Sequence, residues 1–151
     1  MAPVPGGPQT ILLVEDNDDH AELILRSLQS VASLHRVIRV VDGQDALDYL
    51  HREGKYRDPV GNPFPTVIFL DLRLPRVDGL DVLKTIKSDM RLFHIPVVVL
   101  TSSDANDDIV RSYQYHANSY IVKPFDFGNF MKMMGDLGFY WLKCNTSPLF
   151  S

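Results

Sequence analysis

The chain has 151 residues, 45% hydrophobic and 23% charged, with a formal net charge of −4, the proportions of one ordinary globular domain. The negative charge argues against a nucleic-acid-binding face, and no apolar run approaches the roughly 20 residues of a membrane span. The lone Cys144 excludes an internal disulfide framework and a zinc site built on paired thiolates. The opening residues lack the basic start and apolar stretch of a secretory signal. A cytoplasmic protein with neither nucleic acid nor membrane as partner is therefore expected.

Residues 1–9, rich in proline and glycine, are expected to form a disordered tail. Ile11–Val14 is a short, wholly apolar run, as in a strand covered on both faces. It stops at the acidic stretch Glu15-Asp16-Asn17-Asp18-Asp19, which suits a turn and the positive end of a helix dipole. The helix that follows is expected over about 19–32, with Leu23, Ile24, Leu28 and Val31 on one side. Val37–Val41 is predicted as the second strand, and Asp42-Gly43 leads into a short helix carrying Ala46, Leu47 and Leu50. His51–Pro65 forms an extended loop, broken by three prolines and two glycines. Thr66–Leu70 is the third strand and ends at Asp71. Asp78-Gly79 opens a helix with Leu80, Leu83 and Ile86 at helical spacing. Pro96–Leu100 is the fourth strand, and Ser102-Ser103-Asp104 is expected to cap the next helix. Ser119–Val122 is the fifth strand. Phe127, Phe130, Met131 and Met134 then mark a fifth helix, with that apolar face on the sheet.

Five strand–helix alternations specify an α/β fold, a doubly wound parallel sheet of the flavodoxin-like (βα)5 type with strand order 2-1-3-4-5. The domain is expected over residues 10–138. In such sheets ligands bind beyond the carboxyl ends of the strands, where strand order reverses. The strand ends hold Glu15 and Asp16, Asp71, Thr101 and Lys123. Three carboxylates that converge repel one another, and a hard cation such as magnesium relieves the repulsion. A fixed carboxylate beside magnesium can attack phosphorus to give an acyl phosphate. Lys123 and Thr101 then stand where they neutralise and hydrogen-bond the phosphoryl oxygens. The five histidines, His20 among them, show no metal-ligand spacing and read as scattered surface residues.

The motifs Ile11-Leu-Leu-Val-Glu-Asp-Asn17, Asp71-Leu-Arg-Leu-Pro-Arg-Val-Asp-Gly79, Val99-Leu-Thr-Ser-Ser103 and Tyr120-Ile-Val-Lys-Pro-Phe125 resemble those of the receiver domain of two-component response regulators. The resemblance covers roughly residues 10–137. It implies that Asp71 is the phosphoacceptor, assisted by Lys123 and Thr101. It also implies that Glu15, Asp16, Asp71 and the backbone carbonyl of Arg73 frame Mg2+, with Mn2+ able to substitute. Thr101 and Tyr120 look like the switch pair, and Pro124 resembles the family's cis-proline. The implied partner is a sensor histidine kinase, whose phosphohistidine supplies the phosphoryl group. The chain would be no enzyme beyond its own aspartyl phosphorylation and dephosphorylation.

Two features depart from the common pattern. Asp16 and Asp71 lie 71 − 16 = 55 positions apart, a long spacing created by the His51–Pro65 loop. An apolar arm over residues 139–151 carries Phe139, Tyr140, Trp141, Leu142, Leu149 and Phe150, and is expected to form a homodimer contact. Both features resemble the single-domain regulators of phytochrome-type histidine kinases. An alternative role is that of a phosphate carrier or sink in a phosphorelay. An aspartate-nucleophile phosphohydrolase would want a second aspartate at position 73, where Arg73 stands. A nucleotide or flavin protein would want a glycine-rich loop after the first strand, where the chain is acidic.

Overall fold

The computed structural model describes residues 9–29 and 35–148. The expected tail apart from Gln9, together with Val31, Ala32, Leu149 and Phe150, lies outside the described residues. The elements run β1 (Thr10–Val14), α1 (Asp18–Leu28), β2 (Arg36–Val40), α2 (Gly43–His51), β3 (Val67–Leu70), α3 (Gly79–Ser88), β4 (Val97–Thr101), α4 (Asn106–Gln114), β5 (Ser119–Val122) and α5 (Phe127–Phe139). All strand pairs are parallel and the order is β2-β1-β3-β4-β5, as the alternation of strands and helices implies.

Because side chains alternate across a strand, the three central strands split their apolar residues between two cores. Leu12, Val14, Ile68, Leu70, Val97 and Val99 meet Tyr49 and Leu50 of α2 and Leu83 and Ile86 of α3. Ile11, Leu13, Val67, Phe69, Val98 and Leu100 meet Ile24 and Leu28 of α1 and Phe130 and Met134 of α5. Side-chain caps fix where four of these helices begin: Asn17 accepts from the His20 amide, Asp42 from Asp45, Asp78 from Leu80, and Asp126 from Asn129. Among the described residues, no helix is long and apolar enough to cross a membrane.

Three expectations need correction. Ser102-Ser103-Asp104 does not cap α4, whose first residue follows Ala105 with no side-chain cap. The Ser103 hydroxyl accepts from the Ala105 amide at 3.3 Å and donates to Asp108 at 2.6 Å, so it braces the loop ahead of the helix. Phe127 does not face the sheet: it is the first residue of α5 and stands past the strand ends, 56% exposed. The arm does not leave the domain at Gly138 either. The helix continues through Phe139 into a π-helical turn, Tyr140–Cys144, in which Leu142 is buried and Trp141 packs on the same core.

The long loop is tied to α2. Tyr49 donates to the carbonyl of Pro63 at 2.6 Å, and Tyr56 donates to Asp45 at 2.9 Å. The two tyrosine rings meet edge to face, and the Arg52 guanidinium lies 3.9 Å from the centre of the Phe64 ring. Burial pushes the Tyr49 hydroxyl up to about 12. Aromatic anchoring of this kind is set by spatial neighbours, which proline and glycine content does not reveal.

Candidate functional site

The strand ladder extends one residue past the strands and fixes the groups that follow them. The Glu15 amide donates to Val40 and the Asp71 amide to Val14, each at 3.1 Å, and the Lys123 amide donates to Thr101 at 2.8 Å. Arg39 clamps the chain leaving β1, donating to the carbonyls of Glu15 and Asp16 and to the Asp18 carboxylate. Carboxylate oxygens of Glu15, Asp16 and Asp71 consequently lie within 4.8 Å of one another. Glu15 and Asp71 are buried, whereas Asp16 faces solvent.

Lys123, 5% exposed, spends all three ammonium protons inside this group. It donates to Glu15 Oε1 at 2.5 Å, to Asp71 Oδ2 at 3.0 Å and to His20 Nδ1 at 2.9 Å. One ammonium thus serves two buried carboxylates. Burial pushes Glu15 up to about 7 against the pull of Lys123. Burial also works to raise Asp71, but the charge of Lys123 and hydrogen bonds from Lys123, Thr101 and the Arg73 amide outweigh it. Asp71 is therefore held below the usual carboxylate range as an ionised carboxylate fixed in place. Three hard oxygen donors facing one ammonium leave negative charge uncompensated, and fit a hard divalent cation.

The structure brings Glu15, Asp16, Asp71, Thr101 and Lys123 together as the sequence implies. Arg73 is present through its amide, which donates to Asp71 Oδ1 at 3.3 Å, while its guanidinium pairs with Asp108. Tyr120 is partly buried and donates to the Ser103 carbonyl at 2.8 Å. The Lys123–Pro124 bond is trans, since no peptide bond among the described residues is cis. The expected cis-proline is thus not found, and trans is the isomer an X-Pro bond favours.

His20 is the residue that sequence reading missed. It sits four positions after Asp16, in the first turn of α1, and lines a cleft of about 240 Å³ with Leu23, Phe127 and Phe130, next to Lys123. Burial and the neighbouring ammonium lower its pKa, which suits an imidazole that accepts a hydrogen bond through Nδ1. A larger open depression of about 540 Å³ on α3, beside Asp81, Lys84 and Thr85, is remote from the carboxylates and gathers no buried charge.

Residues 11–135 match the response regulator receiver domain family, and the chain belongs to it. Several of the relatives it resembles are matched over nearly their whole length. It is 45% identical over 141 residues to the probable methanogenesis regulatory protein FilR2 of Methanothrix harundinacea, covering 93% of this chain and 88% of that one. It is 38% identical over 141 residues to response regulator Rcp1 of Synechocystis sp., covering 93% and 94%. The crystal structure of the phosphorylated cyanobacterial phytochrome response regulator RcpA superposes with a TM-score of 0.89 at 40% identity, covering 94% of this chain and 99% of that one. The Mn2+-bound form of Rcp1 superposes with a TM-score of 0.88 at 38% identity, covering 93% and 99%.

Proposed function

We propose that this chain is a cytoplasmic, single-domain response regulator that accepts a phosphoryl group on Asp71 from the phosphohistidine of a sensor histidine kinase. The observation that carries the reading is the shared ammonium of Lys123, which keeps Asp71 ionised and fixed beside two further carboxylates. An Asp71 oxygen attacks phosphorus, the P–N bond breaks, and its electron pair leaves with the imidazole to give an acyl phosphate. Glu15, Asp16, Asp71 and the Arg73 carbonyl would hold Mg2+, or Mn2+ in its place, which supplies neutralising charge for the phosphoryl oxygens. Lys123 and the Thr101 hydroxyl contact the same oxygens once Asp71 is modified, and Tyr120 responds as the second half of the switch. The exposed Phe125 and Phe127 beside the cleft offer the kinase an apolar landing. Likeness to phytochrome response regulators supports a place in light signalling.

The reading is tested with a small phosphodonor such as acetyl phosphate and mass-spectrometric mapping. Label is expected on Asp71 alone, only with a divalent cation, and not on Asp71→Asn. Label on another residue of the wild type, or full labelling of the variant, overturns it.

We also propose a homodimer, now resting on the outward part of the arm. Phe139 and Tyr140 are 53% and 50% exposed, whereas Leu142 is committed to its own core. Sedimentation equilibrium should show a micromolar dimer for the full chain and a monomer for the Phe139→Ser, Tyr140→Ser double variant. A monomeric full chain, or an equally dimeric variant, refutes the contact.

A further inference from the structure

We propose that Arg73 is a second phosphoryl-binding cation held in reserve on Asp108 of α4, and that its transfer to the phosphoryl group of Asp71 releases the start of that helix. The inference rests on Asp71 being the phosphoacceptor and adds to that reading a binding residue and a route of output.

The starting observation is how α4 is attached. The other four helices bury apolar side chains, such as Ile24 and Leu28, Tyr49 and Leu50, Leu83 and Ile86, or Phe130 and Met134. The buried side chains of α4 are Asp108 and Ser112, both polar. The Ser112 hydroxyl is buried without a hydrogen-bond partner, so it contributes little to holding the helix. Asp108, 6% exposed, receives the Arg73 guanidinium at 2.5 Å and the Ser103 hydroxyl at 2.6 Å. The first turn of α4 is thus fastened chiefly by charge-assisted hydrogen bonds, which an alternative anion can take over.

Arg73 is built to make that exchange. Its amide is tied to Asp71 Oδ1, so its backbone stays beside the acceptor. Its side chain is 61% exposed, so redirecting it disturbs little packing. Phosphorylation places close to two negative charges and three strong acceptor oxygens two residues away. A guanidinium matches such a group in fork geometry. Asp108 bears a single charge.

Departure of Arg73 leaves Asp108 buried with one hydroxyl donor, a costly state relieved when the helix start moves out to water. Ser103 is drawn along by its bond to Asp108, and the Ser103 carbonyl is the acceptor for Tyr120. The chain of contacts therefore runs from Asp71 through Arg73, Asp108 and Ser103 to Tyr120, each link a hydrogen bond.

The test uses the full chain with Mg2+ and beryllofluoride as the phosphoryl mimic, comparing wild type, Arg73→Gln, Arg73→Lys and Asp108→Asn by backbone NMR and amide hydrogen exchange. Wild type should shift at Thr101 and Lys123 and across residues 103–112. Arg73→Gln should exchange about tenfold faster over residues 106–112 before any mimic is added, bind the mimic about tenfold more weakly, and show site shifts with no added change in α4. Arg73→Lys, which keeps the charge without the fork, should recover part of the mimic affinity. Asp108→Asn should loosen α4 while retaining full mimic affinity. Arg73→Gln responding in α4 as wild type does, with unchanged mimic affinity, overturns the exchange alone. Wild type that fails to bind the mimic at all refutes the phosphoacceptor reading, and the exchange with it.

Discussion

Lys123→Met is expected to destabilise the metal-free protein by about 3–5 kcal/mol at neutral pH, the usual result of stripping the partner from buried charge. Methionine fills most of the volume but leaves Glu15 and Asp71 buried and facing each other with no cation, so at least one must take up a proton. The pH dependence should change with it. In the wild type Glu15 is raised from 4.5 to about 7. Its contribution to stability is therefore full below 4.5 and is lost as pH rises through 7. Asp71, held below 3.8, has the opposite sign: its contribution is full above 3.8 and lost as pH falls through the depressed value. Without Lys123 both carboxylates follow the first pattern, and stability should decline steadily from acid to neutral pH. Urea unfolding in chelator at pH 5 and pH 8 measures the slope, and millimolar Mg2+ should restore part of the loss. A variant as stable as wild type at pH 8 in chelator would show that the ammonium does not hold the cluster together.

Gly79→Ala should destabilise the fold by about 3 kcal/mol, at the upper end of overpacking effects, and should weaken divalent-cation binding as well. A Cβ at this position would lie 2.3 Å from the Asp71 carbonyl oxygen, 2.5 Å from Leu72 Cα and 2.8 Å from the Leu72 carbonyl oxygen. All three are backbone atoms, so no rotamer change relieves the clash. The Gly79 amide also donates to the Leu72 carbonyl at 2.8 Å, which holds the start of α3 against the end of β3. An added methyl pries these apart and moves Asp71 with them. Equilibrium unfolding together with a Mg2+ titration reads both effects. A variant within about 0.5 kcal/mol of wild type, the range of an ordinary surface change, would mean that the two segments separate freely.

Gly79 also shows how far the sequence can be read. Asp78-Gly79 announces a helix start, and the helix begins there, but the need for glycine comes from the crossing of β3, visible only in three dimensions. The three central strands were legible because fully covered strands are almost wholly apolar, and the ends of β1 and β3 because an acidic residue stops each run abruptly. Glu15, Asp16, Asp71, Thr101 and Lys123 follow from strand order alone. His20 did not, since its partner Lys123 lies 103 residues away and one turn of an acidic helix looks solvated whichever way it points. The polar inner face of α4 was hidden for a related reason: Asp108 reads as a first-turn acid until its burial is seen. The arm misled because its apolar content is real, while its division between own core and surface depends on the π-helical turn. Lys123 reads in sequence as a cation of the site, and only its burial reveals that removing it should also unsettle the fold.

The anchored loop between α2 and β3 offers a site for protein engineering. Val60 is 87% exposed, and a side chain at Gly61 would touch nothing closer than an Asp58 carboxylate oxygen at 3.5 Å. The Tyr56–Asp45 and Tyr49–Pro63 bonds flank this tip on either side and isolate it from the sheet. A fluorescent domain spliced between Val60 and Gly61 would be attached at the amino edge of the sheet. Where this loop enters β3, the four residues of the strand stand between it and Asp71, a length of roughly 13 Å at ~3.3 Å per residue. The carboxyl edge would stay clear, so the fusion could report on where the protein goes in a cell without blocking the surface by which it is addressed.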